Sequence, residues 1–140
     1  MPADDVFFDT NVLLYLVSPD ASKADRAESL LGDGGHVSVQ VLNEFASVAI
    51  GKLRMSWEAI EDILAVVREI CRVHPLTVET HERALAIARR YGFSFYDALI
   101  IASALLAGCS VVYSEDMQAG QQVDRKLKIQ DPFRGEVAGR

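Results

Sequence analysis

The chain has 140 residues, half of them hydrophobic, with 20 acidic against 14 basic side chains and a net charge of −6. That length suits one domain able to bury a core, and the composition excludes an intrinsically disordered chain. The negative balance excludes nucleic-acid binding by phosphate neutralisation alone, although divalent ions that bridge carboxylates to phosphates are compatible with it.

Val6-Phe7-Phe8 reads as a short buried strand that delivers Asp9, Thr10 and Asn11 at its end. Residues 11–17 continue apolar until Ser18-Pro19-Asp20 breaks the run. Ser22 is the expected N-cap of a helix through Leu31, which Gly32-Asp33-Gly34-Gly35 stops. Residues 36–38 form a short strand, and a helix over 39–50 follows, with Val41, Leu42, Phe45, Val48 and Ala49 on its apolar face. Ser56 caps a helix over 57–71, whose buried stripe is Ile60, Ile63, Leu64, Val67, Ile70 and Cys71. Residues 73–76 are a strand that Pro75 limits to an end or an edge. Residues 79–91 are helical and stop at Gly92, and Ser94 opens the most apolar helix, over 95–107. Residues 110–113 form a buried strand, followed by the polar loop Ser114-Glu115-Asp116. Residues 127–129 are a last strand before Asp131-Pro132-Phe133. The expectation is a single domain over 1–133 and a loose tail over 134–140.

Short strands alternating with helices point to an α/β class fold, a three-layer α/β/α domain with a four- or five-stranded parallel sheet. Cys71 and Cys109 lie far apart in apolar surroundings and read as buried thiols of a reducing compartment. With no bilayer-length apolar run and no signal-peptide pattern at the N-terminus, the expected location is cytoplasmic, with no membrane partner.

Two acids stand on apolar helix faces. Glu44 shares its face with Val41, Phe45 and Val48, and Asp97 shares its face with Phe93, Ile100, Ile101 and Ala104. Neither has a lysine or arginine at i±3 or i±4, and ionised side chains are rarely buried without a partner. Each acid has a plainer explanation when taken alone. Asp97 with Ser94 matches a capping box, Asp9 can cap the helix that follows it, Glu44 can reach solvent, and Asp116 can be a turn residue. One explanation covers all four. Asp9 and Asp116 follow strands, and Glu44 and Asp97 lie in the first turns of helices leaving the same sheet edge. Converging carboxylates with no His or Cys suit Mg²⁺ or Mn²⁺.

The segments Phe8-Asp9-Thr10-Asn11-Val12-Leu13-Leu14, Val41-Leu42-Asn43-Glu44-Phe45 and Phe95-Tyr96-Asp97-Ala98-Leu99-Ile100 carry a resemblance. So do Tyr113-Ser114-Glu115-Asp116-Met117-Gln118 and the closing Asp131-Pro132-Phe133. In order and spacing the chain resembles the PIN domain, and within it the VapC-type toxin ribonucleases. The resemblance implies a parallel sheet flanked by helices and an acidic site holding one or two Mg²⁺ or Mn²⁺ ions. Asp9, Glu44, Asp97 and Asp116 are then the metal-holding, catalytic acids, with Thr10, Asn11 and Ser114 in support. Glu115 is the neighbouring alternative to Asp116, which is favoured. The implied activity is a metal-dependent endoribonuclease acting on RNA as the toxin of a toxin–antitoxin pair. It also implies an antitoxin partner in a groove between helices, and a homodimer. The alternative is a non-catalytic PIN scaffold that binds RNA or protein.

His36, His74 and His81 have no ligand or triad spacing and read as surface or strand-end residues. Arg89, Arg90, Arg125, Lys126 and Lys128 are candidate phosphate contacts, with a solvated face favoured for the first two. An aspartyl-phosphate enzyme is disfavoured because Asn11 stands where its second Asp belongs. A receiver domain is disfavoured because Asp4 and Asp5 precede the first strand.

Overall fold

A computed structural model describes residues 5–133. Along them run β1 (Val6–Phe8), α1 (Thr10–Tyr15), α2 (Ala21–Gly32), β2 (Gly35–Ser38), α3 (Val39–Gly51) and α4 (Trp57–Ile70). Then come β3 (Cys71–His74), α5 (Val78–Tyr91), α6 (Phe95–Leu106), β4 (Val111–Tyr113), β5 (Gln122–Val123) and β6 (Leu127–Gln130). The strands form one sheet in the order β3-β2-β1-β4-β6-β5, parallel except where β5 runs antiparallel to β6. The α/β class and three layers agree with the sequence reading, but the sheet has six strands rather than four or five. The additional antiparallel strand, β5, is two residues long, too short to leave an alternation in the sequence. The tail expected over 134–140 lies outside the described residues.

From β1 the chain moves outward to β2 and β3, then crosses back past β1 to β4. Right-handed crossovers put α1–α4 on one face of the sheet and α5 and α6 on the other. The connections therefore leave β1 and β4 in opposite directions, and such a switch point opens a crevice at the strands' carboxyl ends. Asp9 and Ser114 stand there, directly after β1 and β4. The Asp9 N–H donates to the Tyr113 carbonyl at 3.0 Å, tying the two strand ends together.

All of β1 is buried, as a strand covered on both faces must be. Phe7, Phe8, Phe45, Ile100, Ile101 and Ile129 are among the fully buried side chains, each worth about 1.5–3 kcal/mol of apolar burial. Gly35 has φ 149°, and a Cβ there would meet Phe8 Cε2 at 2.6 Å. Glycine thus lets β2 lie close against the residue preceding Asp9.

Ser56 and Ser94 cap α4 and α6 as expected. In α2, however, Asp20 rather than Ser22 is the N-cap, accepting from the N–H groups of Ser22 and Lys23. A carboxylate at that position also complements the helix dipole. The chain turns extended at Cys71, so this residue opens β3 and Ile70 is 38% exposed rather than part of the buried stripe. β3 ends at His74, short of the expected Leu76, and is an edge strand, where Pro75 removes no ladder bond. His36 is buried rather than superficial, because β2 lies inside the sheet. Its Nδ1 is 2.7 Å from Nε2 of His74, and the rings stack.

Cys71 and Cys109 are buried and free, and burial pushes their thiols up to about 11 and about 12. No helix among the described residues is long and apolar enough to cross a membrane.

Candidate active site

Asp9 leaves β1 in an extended conformation and caps α1. One carboxylate oxygen accepts the Thr10 N–H at 2.7 Å, and the other accepts the Ser114 hydroxyl at 2.7 Å. The residue is 4% exposed. Burial lifts its pKa to about 6, with the charges of Asp97 and Asp116 adding to the rise and the two hydrogen bonds opposing it. The cap expected of Asp9 is real, and both of its carboxylate oxygens are hydrogen-bonded.

Asp97 repeats this in α6. Its N–H donates to the Ser94 hydroxyl at 3.3 Å, which is the expected cap. Burial still drives its carboxyl above the usual range, followed by the charges of Asp116 and Glu44, against the Ser94 hydrogen bond. Glu44 lies in the second turn of α3, not the first as the sequence reading had it. Its Oε1 accepts the Thr10 hydroxyl at 2.5 Å. Asp116 is exposed on the loop after β4. Thr10, Asn11, Leu14, Glu44, Ser47 and Asp116 line a hollow of about 290 Å³, and no lysine or arginine is among its walls.

The polar neighbours hold these acids in place. Ser114 is fully buried; its hydroxyl donates to Asp9 and accepts the N–H groups of Asp116 at 3.2 Å and Met117 at 3.1 Å. Asn11 Oδ1 accepts the Glu115 N–H at 3.3 Å, while Asn11 Nδ2 is buried with no hydrogen-bond partner among the described residues. Leaving a buried donor unpaired costs about 1–3 kcal/mol. Glu115 takes part in a different cluster. It accepts the Tyr15 hydroxyl and pairs with Lys23 at 3.3 Å, and the Lys23 ammonium lies 4.5 Å from the centre of the Tyr15 ring.

Among the described residues, no three His, Cys, Asp or Glu side chains stand close enough together to hold a metal ion. Glu44 is turned to Thr10, and Asp9 to Thr10 and Ser114. The donor chemistry nevertheless suits a hard divalent cation, being carboxylate oxygen without thiolate or imidazole.

Ser47 and Leu14 line the hollow without having been singled out in the sequence. Ser47 stands one helical turn beyond Glu44, and that spacing was the available signal. Of the basic candidates, Arg90 pairs with Asp124 at 3.8 Å and lies against the Tyr91 ring. Arg89, Arg125, Lys126 and Lys128 are exposed, and none of the five lines the acid hollow.

Among solved structures, the fold is similar to a toxin–antitoxin complex from Klebsiella pneumoniae, with TM-score 0.67 and 19% identity over 91% of this chain and 97% of that one. It is also similar to VapC20 of Mycobacterium tuberculosis, a sarcin–ricin loop cleaving toxin, with TM-score 0.65 and 23% identity over 79% and 89%. A third is VapBC2 of Rickettsia felis bound to a DNA fragment from its promoter, with TM-score 0.62 and 16% identity over 90% and 97%. These likenesses are of fold. No curated protein sequence matches the chain. The PIN domain family model matches residues 6–124, from β1 through β5 and across all four acids, and the chain belongs to that family.

Proposed function

We propose that the chain is a Mg²⁺- or Mn²⁺-dependent endoribonuclease, the toxin of a toxin–antitoxin pair, that hydrolyses RNA phosphodiester bonds. One observation carries this reading. Asp9 is buried at the switch point and lifted to about 6 by burial and by the charges of Asp97 and Asp116, and the neighbouring hollow, which Glu44 and Asp116 line but Asp9 and Asp97 do not, has no basic side chain. A buried carboxylate whose pKa is raised by burial and by neighbouring acids is a functional-site candidate.

Asp9, Glu44, Asp97 and Asp116 are the residues that would hold one or two divalent ions. Such ions supply Lewis-acid stabilisation of the phosphate and a lowered pKa for a bound water. The chain's own part is to orient the acids. Ser114 fixes Asp9 from the β4 side, and Thr10 fixes Glu44 from the α1 side. Histidine has no part in it, since His36 and His74 face each other and His81 lies against Phe95.

An antitoxin segment suits the apolar groove of about 530 Å³ lined by Leu16, Val17, Ile63, Val66, Val67 and Ile70. The fold likeness to toxin–antitoxin complexes supports that partner, and a cytoplasmic homodimer belongs to the same reading. The second reading, a non-catalytic PIN scaffold for RNA or protein, draws on the present spacing of the acids, too wide for a three-ligand metal site.

The test is cleavage of an RNA panel by the purified chain. Cutting should require Mg²⁺ or Mn²⁺, stop with chelator, and be lost in Asp9→Asn and Asp97→Asn. Undiminished cutting in chelator sinks the metal mechanism. Retention of RNA without cutting, across metals and substrates, favours the scaffold.

A further inference from the structure

Beside the acid hollow lies a second one of about 320 Å³, lined by Gln40, Asn43, Glu44, Ser47 and Tyr96. Glu44 and Ser47 line both, so the two hollows are neighbours. Gln40, Asn43, Glu44 and Ser47 form one stripe along α3 at helical spacing. From α6, Tyr96 stands against that stripe and is 60% exposed. Its ring packs edge-on to Phe95 at 5.9 Å between centroids, and Phe95 packs edge-on to His81 at 5.6 Å. The tyrosine therefore has a rigid base and an open face.

The surroundings of that ring are selective. Two amides and a hydroxyl accompany it, and none of these side chains, nor the Tyr96 hydroxyl, hydrogen-bonds another described residue. No lysine or arginine lines the hollow, so it is ill suited to a phosphate. A neutral planar group with donors and acceptors around its rim needs what is present: an aromatic face to stack on and amides to read its edge. An unpaired nucleobase is such a group.

The geometry points to a subsite for one unpaired RNA base, stacked on Tyr96 and read by Asn43 and Gln40, beside the hollow that Glu44 shares. This rests on the ribonuclease reading for the identity of the ligand. A base inside a duplex has no free face to offer, so the subsite favours single strands and loops. Tyr96 and Asn43 thereby set which RNA is bound, while the acids set whether it is cut.

The experiment measures fluorescence anisotropy of a fluorescein-labelled single-stranded RNA of random sequence with Mg²⁺. The full chain is used in an Asp9→Asn background, so that bound RNA stays intact. Adding Tyr96→Ala should weaken binding about tenfold or more, the loss of one stacked base, while Tyr96→Phe stays within about threefold. Melting temperatures should not move, because the side chain is exposed. A duplex RNA should bind more weakly than the single strand. Equal binding by the parent and Tyr96→Ala, or no binding by the parent, overturns the subsite. Fragment-end sequencing of a random RNA pool cut by the otherwise native chain separates this from the ribonuclease reading. Asn43→Ala should flatten a base preference at one position beside the cut, and an unchanged preference overturns the assignment of that residue. Should the native chain cut nothing, the ribonuclease reading fails and the anisotropy result still decides the subsite.

Discussion

Glu115 and Asp116 are adjacent on one loop and carry the same charge, yet they belong to two different regions. Glu115 meets a cation, Lys23, and a hydroxyl, Tyr15, and so joins α1, α2 and the β4 loop into a neutralised cluster. Asp116 is exposed, and its charge raises the pKa of both Asp9 and Asp97. An acid with a basic partner is structural material. Acids whose pKa values are raised by burial and by one another are the mark of a candidate functional site.

The comparison breaks first on activity. Asp9→Asn should lower RNA cleavage at least about 100-fold, beyond the 10- to 100-fold typical of losing a supporting group, while Glu115→Gln should keep kcat within about threefold. Initial rates on one labelled RNA decide this. If the two variants lose activity equally, the two regions are not distinct.

Stability against pH is the next test. Asp9 has a folded pKa of about 6 against an ordinary 3.8, so between those values the folded chain holds more proton than the unfolded one. Its contribution is fully present below about pH 4 and is lost as pH rises through about 6, an effect of roughly 3 kcal/mol. Urea titrations in chelator from pH 4 to 8 should show that decline, and Asp9→Asn should flatten it. Added Mn²⁺ should act in the opposite sense, raising stability by about 2.7 kcal/mol at a hundred times its Kd. That gain should vanish in Asp9→Asn and persist in Glu115→Gln. The smallest effect belongs to the neutralised cluster. Glu115→Gln should cost only about 0.2–1 kcal/mol, the worth of a part-exposed ion pair, and less at high salt.

Glu44 and Asp97 stood out in the sequence because each places a charge on an apolar helix face, a local contradiction that periodicity exposes, and Asp9 and Asp116 stood out because each follows a buried strand. Thr10, Asn11 and Ser114 were legible through their adjacency to those acids. The direction of Glu115 was not, since it depends on Lys23 and Tyr15, whose hydrogen bonds to it span 92 and 100 positions. His36 escaped for a related reason. A four-residue strand does not say whether it lies inside the sheet or at its edge, and only the strand order buries it. Asp20 in place of Ser22 at the start of α2 is an ordinary ambiguity between two good caps two residues apart. The parallel strands were legible from their apolar runs between turn signals, whereas Gln122–Val123 carries no such run.

The hydrogen bond from Ser114 to Asp9 joins residues 105 positions apart. During synthesis at about 5–20 residues per second, roughly 5–20 seconds separate the appearance of the two. Throughout that interval the emerging chain has Asp9 without Ser114 or Asp116, and β1 without the strand that completes the switch point. The site is thus assembled only once β4 has emerged, and a chain stalled before β4 lacks it. On the ribonuclease reading proposed above, this order keeps unfinished copies harmless to the message and the ribosome that are making them.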